Sequence, residues 1–173
     1  MTFTKYHGAG NDFILVNHWN EEVLTDQSPI HIAALCHRRF GIGADGLMVL
    51  ERDTEYDFFM RYYNADGNPS SMCGNGGRCI VAFANHLGLI GKETTFRAVD
   101  GPHRARITSP EWVELEMNIA SNVETCLDGF FLDTGSPHYV EYTNDLGTID
   151  VFHQGRAIRQ HPQFAPGGTN ANF

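Results

Sequence analysis

Alternating apolar and polar positions predict a first set of strands, at Phe3–His7 and Asp12–Asn17. A helix signal follows. Ser28 is a candidate N-cap with Pro29 at the first helical position, Ile32, Leu35, Cys36 and Arg39 share one face, and Gly41 ends the segment. "GLMVLE" (Gly46–Glu51) and "DFFMRYYN" (Asp57–Asn64) are rich in aliphatic and aromatic residues and predict strands, while "ADGNPS" (Ala65–Ser70) is turn chemistry. Ile80, Phe83, Ala84 and Leu87 recur at helical spacing, so a helix is expected from about Gly77 to Leu87, closed by Gly88. Val81 and Ala82 extend its apolar surface beyond that stripe, as in a helix buried on more than one side. Further strands are expected at Thr94–Val99, Arg104–Thr108, Trp112–Met117, Gly129–Gly135 and Pro137–Tyr142, with a soft boundary at Asn118–Thr125. A helix is expected over Asp150–Gln160, weakened by Gly155, and Asn170–Phe173 begin a strand. Such a strand has little room to pair within four residues, which raises the expectation that the natural polypeptide continues.

Composition changes this picture in two ways. A net charge of −9 argues against a nucleic-acid surface, which needs clustered Lys and Arg. No run approaches the ~18 apolar residues of a membrane helix, and the N-terminus lacks a basic-then-apolar export signal, so a cytoplasmic protein without membrane partners is expected. The cysteines Cys36, Cys73, Cys79 and Cys126 are then expected to be thiols rather than bridges. Cys73 and Cys79 are spaced too widely for a usual zinc pair and the histidines are scattered, so no metal site is expected.

The chemistry concentrates in "SMCGNGGRC", Ser71–Cys79. A thiol at the mouth of a helix meets orphan backbone N–H groups with partial positive charge, which favour thiolate and bind carboxylates or developing oxyanions. Glycines leave those N–H groups open to a ligand, and Asn75 can brace the loop or donate to a ligand. A Walker loop would need Gly-Lys-Ser/Thr where Arg78 and Cys79 stand, and "GNGG" does not fit a dinucleotide fingerprint. A Cys-His hydrolase and a purely structural turn remain open at this level. "HGAGNDF" (His7–Phe13) and "YNADGN" (Tyr63–Asn68) add Asn11 and Asn64, whose amides suit a zwitterionic ligand.

Taken together, "KYHGAGNDF", "GIGADGLM", "YNADG", "MCGNGGRC", "GSPH" and "TNANF" resemble the diaminopimelate epimerase family in order and spacing, from Lys5 to Phe173. The resemblance implies an α/β (α+β) fold of two similar domains, each a sheet curled around a central helix, with residues 1–118 forming the first domain and 119–173 an incomplete second one. It implies a cofactor-independent isomerase that interconverts LL- and meso-diaminopimelate, on the route to lysine and peptidoglycan, with a cysteine from each domain acting on opposite faces of the α-carbon. Cys73 matches the first of these cysteines. Asn11, Asn64 and Asn170 match substrate-contacting positions, and Gly74 and Asn75 match the backbone cradle. The implied partner is a small amino-acid substrate, and family members often pair as homodimers.

Three departures accompany the resemblance. The family's second catalytic cysteine and a substrate-binding Glu-Arg pair lie beyond "TNANF", so an inactive, truncated chain is expected. Cys36 and Cys79 read as core residues on helices, and Cys126 as a residue before a strand without a cradle. Ser136 in "GSPH" stands where many members carry asparagine, and Gly46 where some carry a side-chain donor. The nearest rival, a proline or hydroxyproline racemase of the same fold, usually carries histidine where this chain has Asn75. A non-catalytic amino-acid-binding protein is the reading from a different class.

Overall fold

The computed structural model describes residues 1–117 and 122–173, and the chain divides into one compact unit over Met1–Met117 and another over Asn118–Phe173. In the first unit, β1 (Thr4–Gly8) and β2 (Asn11–Asn17) form a hairpin closed by Ala9 and Gly10. Both turn residues have positive φ, 54° and 85°, the combination whose twist matches that of paired strands. Ala9 adopts it with a side chain attached, which is uncommon outside glycine.

α1 spans Pro29–Cys36 and is shorter than the sequence pattern predicts. Ser28 caps it as expected, its hydroxyl accepting the His31 N–H at 3.4 Å. It stops before Arg39 because the His37 Nδ1 atom accepts the backbone N–H groups of Arg39 and Phe40, both at 3.1 Å, and so competes with the next helical turn. The chain then folds back, with Ile42 and Gly43 donating to the Leu35 carbonyl and Ala44 to that of Cys36.

β3 (Gly46–Glu51) pairs in parallel with β2 and antiparallel with β4 (Phe59–Asn64). Period-two alternation sorts these strands between two cores. Phe13, Leu15, Met48, Leu50, Met60 and Tyr62 face one, and Ile14, Val16, Leu47, Val49 and Tyr63 face the other, where Ile32 and Cys36 of α1 pack. With both faces covered, β2 and β3 read as continuous apolar runs.

α2 (Gly74–His86) occupies the first core. It begins three residues earlier than its apolar stripe suggests, since the glycines themselves form its first turn. Gly76, Gly77, Cys79, Ile80, Val81, Phe83 and Ala84 are all buried, as expected of a helix enclosed on several sides, whereas Leu87 at its C-cap is partly exposed. β5 (Glu93–Ala98), β6 (Gly101–Ser109) and β7 (Trp112–Leu115) complete a seven-stranded sheet in the order β1-β2-β3-β4-β5-β6-β7. α2 contacts β1, β2 and β3 near one end of this order and β6 and β7 at the other, so the sheet curls around it.

The second unit holds β8 (Val123–Cys126), β9 (Gly129–Asp133), β10 (Pro137–Val140), α3 (Val151–Arg159) and β11 (Asn170–Asn172), with sheet order β11-β10-β9-β8. Here the sequence reading needs two corrections. Val123–Thr125, within the expected soft boundary, are part of β8, and Cys126, which does precede β9, also ends that earlier strand. Asn170–Asn172 also pair fully, in parallel with His138–Val140. A small core of Cys126, Tyr139 and Phe164, with Phe131 and Ile158 against it, holds the unit together. The expected boundary between residues 118 and 119 lies outside the described residues.

A methyl group at Gly46 would meet the Tyr62 ring at 2.5 Å and the Tyr63 carbonyl oxygen at 2.6 Å. The carbonyl belongs to the neighbouring strand and cannot move without separating β3 from β4. Gly46→Ala is therefore expected to lower stability by about 1–3 kcal/mol, measured as a reduced urea midpoint. An unchanged midpoint would contradict this close approach.

Candidate active site

Cys73 is the N-cap residue of α2. Its carbonyl accepts the Gly77 N–H at 2.7 Å, so the backbone starts the helix while the thiol makes no capping bond and stays available. The side chain is half-buried against the first core. The N–H groups of the following turn have no intrahelical acceptor and carry the positive end of the helix dipole. Gly74, Gly76 and Gly77 leave Asn75 as the one side chain of that turn, and a Cβ at Gly76 would lie 1.9 Å from the Met48 Cε atom. Glycine there lets the end of the Met48 side chain lie against the helix start and leaves the N–H groups open to a ligand.

The β1–β2 turn closes over this helix start. A Cβ at Gly8 would lie 3.0 Å from the Asn75 carbonyl oxygen. Asn11, the first residue of β2, places its Oδ1 atom 3.8 Å from Cys73 Sγ and 3.4 Å from Asn75 Nδ2. Asn75 Oδ1 in turn accepts from the Arg78 guanidinium. Three of the expected residues, Asn11, Cys73 and Asn75, thus form one hydrogen-bonded group, with Gly74 beside them.

The other expected residues stand apart from it. Asn64 is exposed at the end of β4, and its described bonds are the backbone ones of the turn, to Asn68 and Gly67. Ser136 and Asn170 belong to the second unit, where the parallel pairing of β10 and β11 sets both at the starting end of those strands.

Sequence reasoning assigned no role to the charged groups behind Asn11. Asn11 Nδ2 donates to Asp45 Oδ2 at 2.8 Å, and the Asp12 N–H reaches the same oxygen at 3.2 Å. Arg38 bridges Asp12 and Asp45, at 2.7 Å to each, and Lys5 pairs with Asp12 at 2.6 Å. Arg38 above all, then Lys5, hold the Asp12 carboxyl far below the usual carboxylate range. Burial pushes the Asp45 carboxyl up, but hydrogen bonds from Asn11 and Arg38 outweigh it and hold this group low as well. Lys5 and Asp45 lie within the quoted motifs, so the residues were in view. Their meeting depends on the parallel pairing of Phe13 with Gly46, which no local pattern announces.

The remaining thiols are enclosed. Burial pushes Cys36 and Cys79 up to about 11, and Cys126 is buried in the second unit. Among the described residues, no group of His, Cys, Asp and Glu is arranged to hold a metal ion, and no helix is long and apolar enough to cross a membrane. A cleft of roughly 750 Å³ lies away from Cys73, over β5–β7, and is lined by charges of both signs that include Asp57, Arg104, Arg106 and Glu116.

The family model described as diaminopimelate epimerase matches residues 3–121. The diaminopimelate epimerase of Flavobacterium psychrophilum is 46% identical over 173 residues, covering all of this chain and 67% of that protein. That of Chlorobaculum tepidum is 44% identical, over 96% of this chain and 66% of that protein. The chain belongs to the diaminopimelate epimerase family. It spans about two thirds of the length of these curated relatives. Solved structures share the fold at low identity. A hydroxyproline epimerase from Agrobacterium vitis superposes with a TM-score of 0.61 at 10% identity, over 91% of this chain and 58% of that one. A phenazine biosynthesis protein of the PhzF family from Bacillus anthracis gives 0.55 at 13%, over 82% and 57%. The mixed α/β fold with a curled sheet is the one these proteins have.

The geometry separates the thiols by reactivity. At pH 8, Cys36 and Cys79 sit about three units below their raised values, so only about one molecule in a thousand carries either as thiolate. Iodoacetamide is expected to label Cys73 first in the folded chain, with Cys36, Cys79 and Cys126 following only on unfolding, as read by peptide mass spectrometry. Equal labelling of Cys79 and Cys73 in the folded chain would contradict the placement of α2.

Proposed function

We propose that this chain carries the first-thiol half of a cofactor-independent epimerase site for diaminopimelate, with Cys73 exchanging a proton with the substrate α-carbon. The observation that carries this reading is the half-buried Cys73 thiol at the start of α2, beside Asn11 and a turn of glycines, within the span matched by the family. Inversion at carbon removes a proton from one face and delivers another to the opposite face, so two carriers in different protonation states are needed. A thiolate is a weak base toward a carbon acid. The backbone N–H groups of Gly74, Asn75 and Gly76, which precede the first intrahelical bond, therefore have a second task, to stabilise the substrate carboxylate as negative charge moves onto it. Asn11, Asn64 and Asn75 are proposed to hold the polar groups of the substrate, joined by Asn170 and more weakly by Ser136.

Among the described residues, Cys36, Cys79 and Cys126 are buried and none is set at a helix start as Cys73 is. The second carrier is thus not one of them, and these 173 residues by themselves are proposed to bind substrate without inverting it. The fold is shared with proline-type racemases, but the match to diaminopimelate epimerases at 46% identity favours diaminopimelate over a cyclic imino acid.

α-Proton exchange followed by NMR in deuterated water, with each diaminopimelate stereoisomer in turn, tests this. No inversion is expected from these residues alone. Inversion would mean that another of their thiols acts. In a longer chain carrying the rest of its relatives' length, Cys73→Ser is expected to cut inversion by at least about 100-fold, and near-normal inversion would sink the role of Cys73.

A further inference from the structure

A cradle for an anion must offer donors, because an acceptor aimed at a carboxylate repels it. The backbone N–H groups of Gly74, Asn75 and Gly76 meet that demand by themselves. The Asn75 side chain, the one side chain of that turn, does not. Its amide has a donating and an accepting end, and a half-turn of the group exchanges them. The charges of the neighbours decide between the two. Arg78 stands three residues further along α2, half-buried, and its guanidinium donates to the Asn75 Oδ1 atom. A guanidinium has donors only, so the Asn75 atom that it meets must be the oxygen. The Asn75 nitrogen is then the end turned to Asn11 Oδ1, at 3.4 Å. The far side gives the same answer. Asp45 is an ionised carboxylate and can only accept, so the Asn11 atom 2.8 Å from it is the nitrogen, and the Asn11 oxygen faces Asn75. Arg78 also lies along the turn itself, its Nη1 atom 3.8 Å from where a Cβ on Gly74 would be. Among the described residues it has no carboxylate partner, so an ion pair does not account for its place.

We propose that Arg78 is a positioning residue that takes up the Asn75 side-chain oxygen, so that the first turn of α2 presents the donor end of this amide to an anion. This rests on the reading of that turn as the carboxylate cradle given above. One Nδ2 hydrogen of Asn75 is directed to Asn11, and the other is left for the ligand. Without the guanidinium, the Asn75 amide is free to turn its oxygen toward the helix mouth. An acceptor would then stand beside the N–H groups and oppose the carboxylate that they attract. Arg78 thus acts on the anion through Asn75 rather than by touching it.

Ligand-free NMR of the ¹⁵N-labelled chain tests the orientation. In the parent chain the Asn75 side-chain amide protons are expected to show nuclear Overhauser contacts to the Asn11 side chain. Contacts to the Arg78 guanidinium in place of Asn11 would overturn the proposal, whether or not any variant folds. In Arg78→Met, which keeps a long side chain without donors, the contacts to Asn11 are expected to fade and the Asn75 amide pair to shift. An amide pair that stays unchanged in this variant would also overturn it. The consequence for binding is read by titration with meso-diaminopimelate. Arg78→Met and Asn75→Ala are each expected to weaken binding about tenfold, and the double variant no further than Asn75→Ala, because Arg78 then has no amide to act through. Additive losses would mean that Arg78 acts on the ligand by its own charge, which contradicts the proposal. A parent chain that binds no meso-diaminopimelate would count against the cradle itself, and the ligand-free spectra would still decide whether Arg78 holds Asn75.

Discussion

Two positions in the first turn of α2, Gly76 and Gly77, are packed closely by neighbouring side chains. A methyl group at Gly76 would lie 1.9 Å from the Met48 Cε atom, and one at Gly77 would meet Met72 and Leu115 at 2.7 and 2.8 Å. With glycine at those positions, the ends of the Met48, Met72 and Leu115 side chains lie directly against the helix start. Glycine inside a helix costs about 1 kcal/mol relative to alanine. Burial of Ile80, Val81 and Phe83 further along the same helix contributes about 1.5–3 kcal/mol apiece and offsets that cost. The apolar half of α2 thus anchors it, which allows its first turn to be built from residues poor at forming helices. The same absence of side chains leaves the N–H groups of the turn open and sets Cys73 at their edge.

Sheet topology supplies what the helix cannot. The parallel pairing of β2 with β3 brings the segment around Asp12 beside Asp45, and Lys5 and Arg38 gather around the two carboxylates. These ion pairs are partly exposed and screened by solvent, so each adds little to stability. Their larger effect is directional. Fixed charges at both ends of the Asn11 and Asn75 amides leave those side chains one orientation, and the hydrogen-bonding surroundings of Cys73 follow from it.

Strands with period-two patterning and the buried central helix were legible because each rests on local spacing. The start of α2 was not, since Gly74–Gly77 carry no apolar periodicity and are helical only through their packing. α1 ended early because of a side-chain cap at His37, a competition that a face-counting argument does not register. β8 was hidden because Glu124 and Thr125 are exposed and the strand buries little beyond Cys126. At the site, the thiol, the glycines and the two asparagines stood out as chemistry. Asp45 and Arg38 did not, because a charged residue acquires its meaning from a partner distant in sequence. The parallel pairing of β10 with β11, which sets Ser136 and Asn170 at one end of neighbouring strands, was not visible in the motifs.

The claim that the start of α2 is the anion cradle is tested most directly by titrating the ¹⁵N-labelled chain with meso-diaminopimelate and following its backbone amides by NMR. The expected result is a saturable shift of the Gly74, Asn75, Gly76 and Gly77 resonances, together with the Asn11 side-chain amide. Shifts confined to the charged cleft over β5–β7, around Arg104 and Arg106, with the α2 amides unmoved, would contradict it.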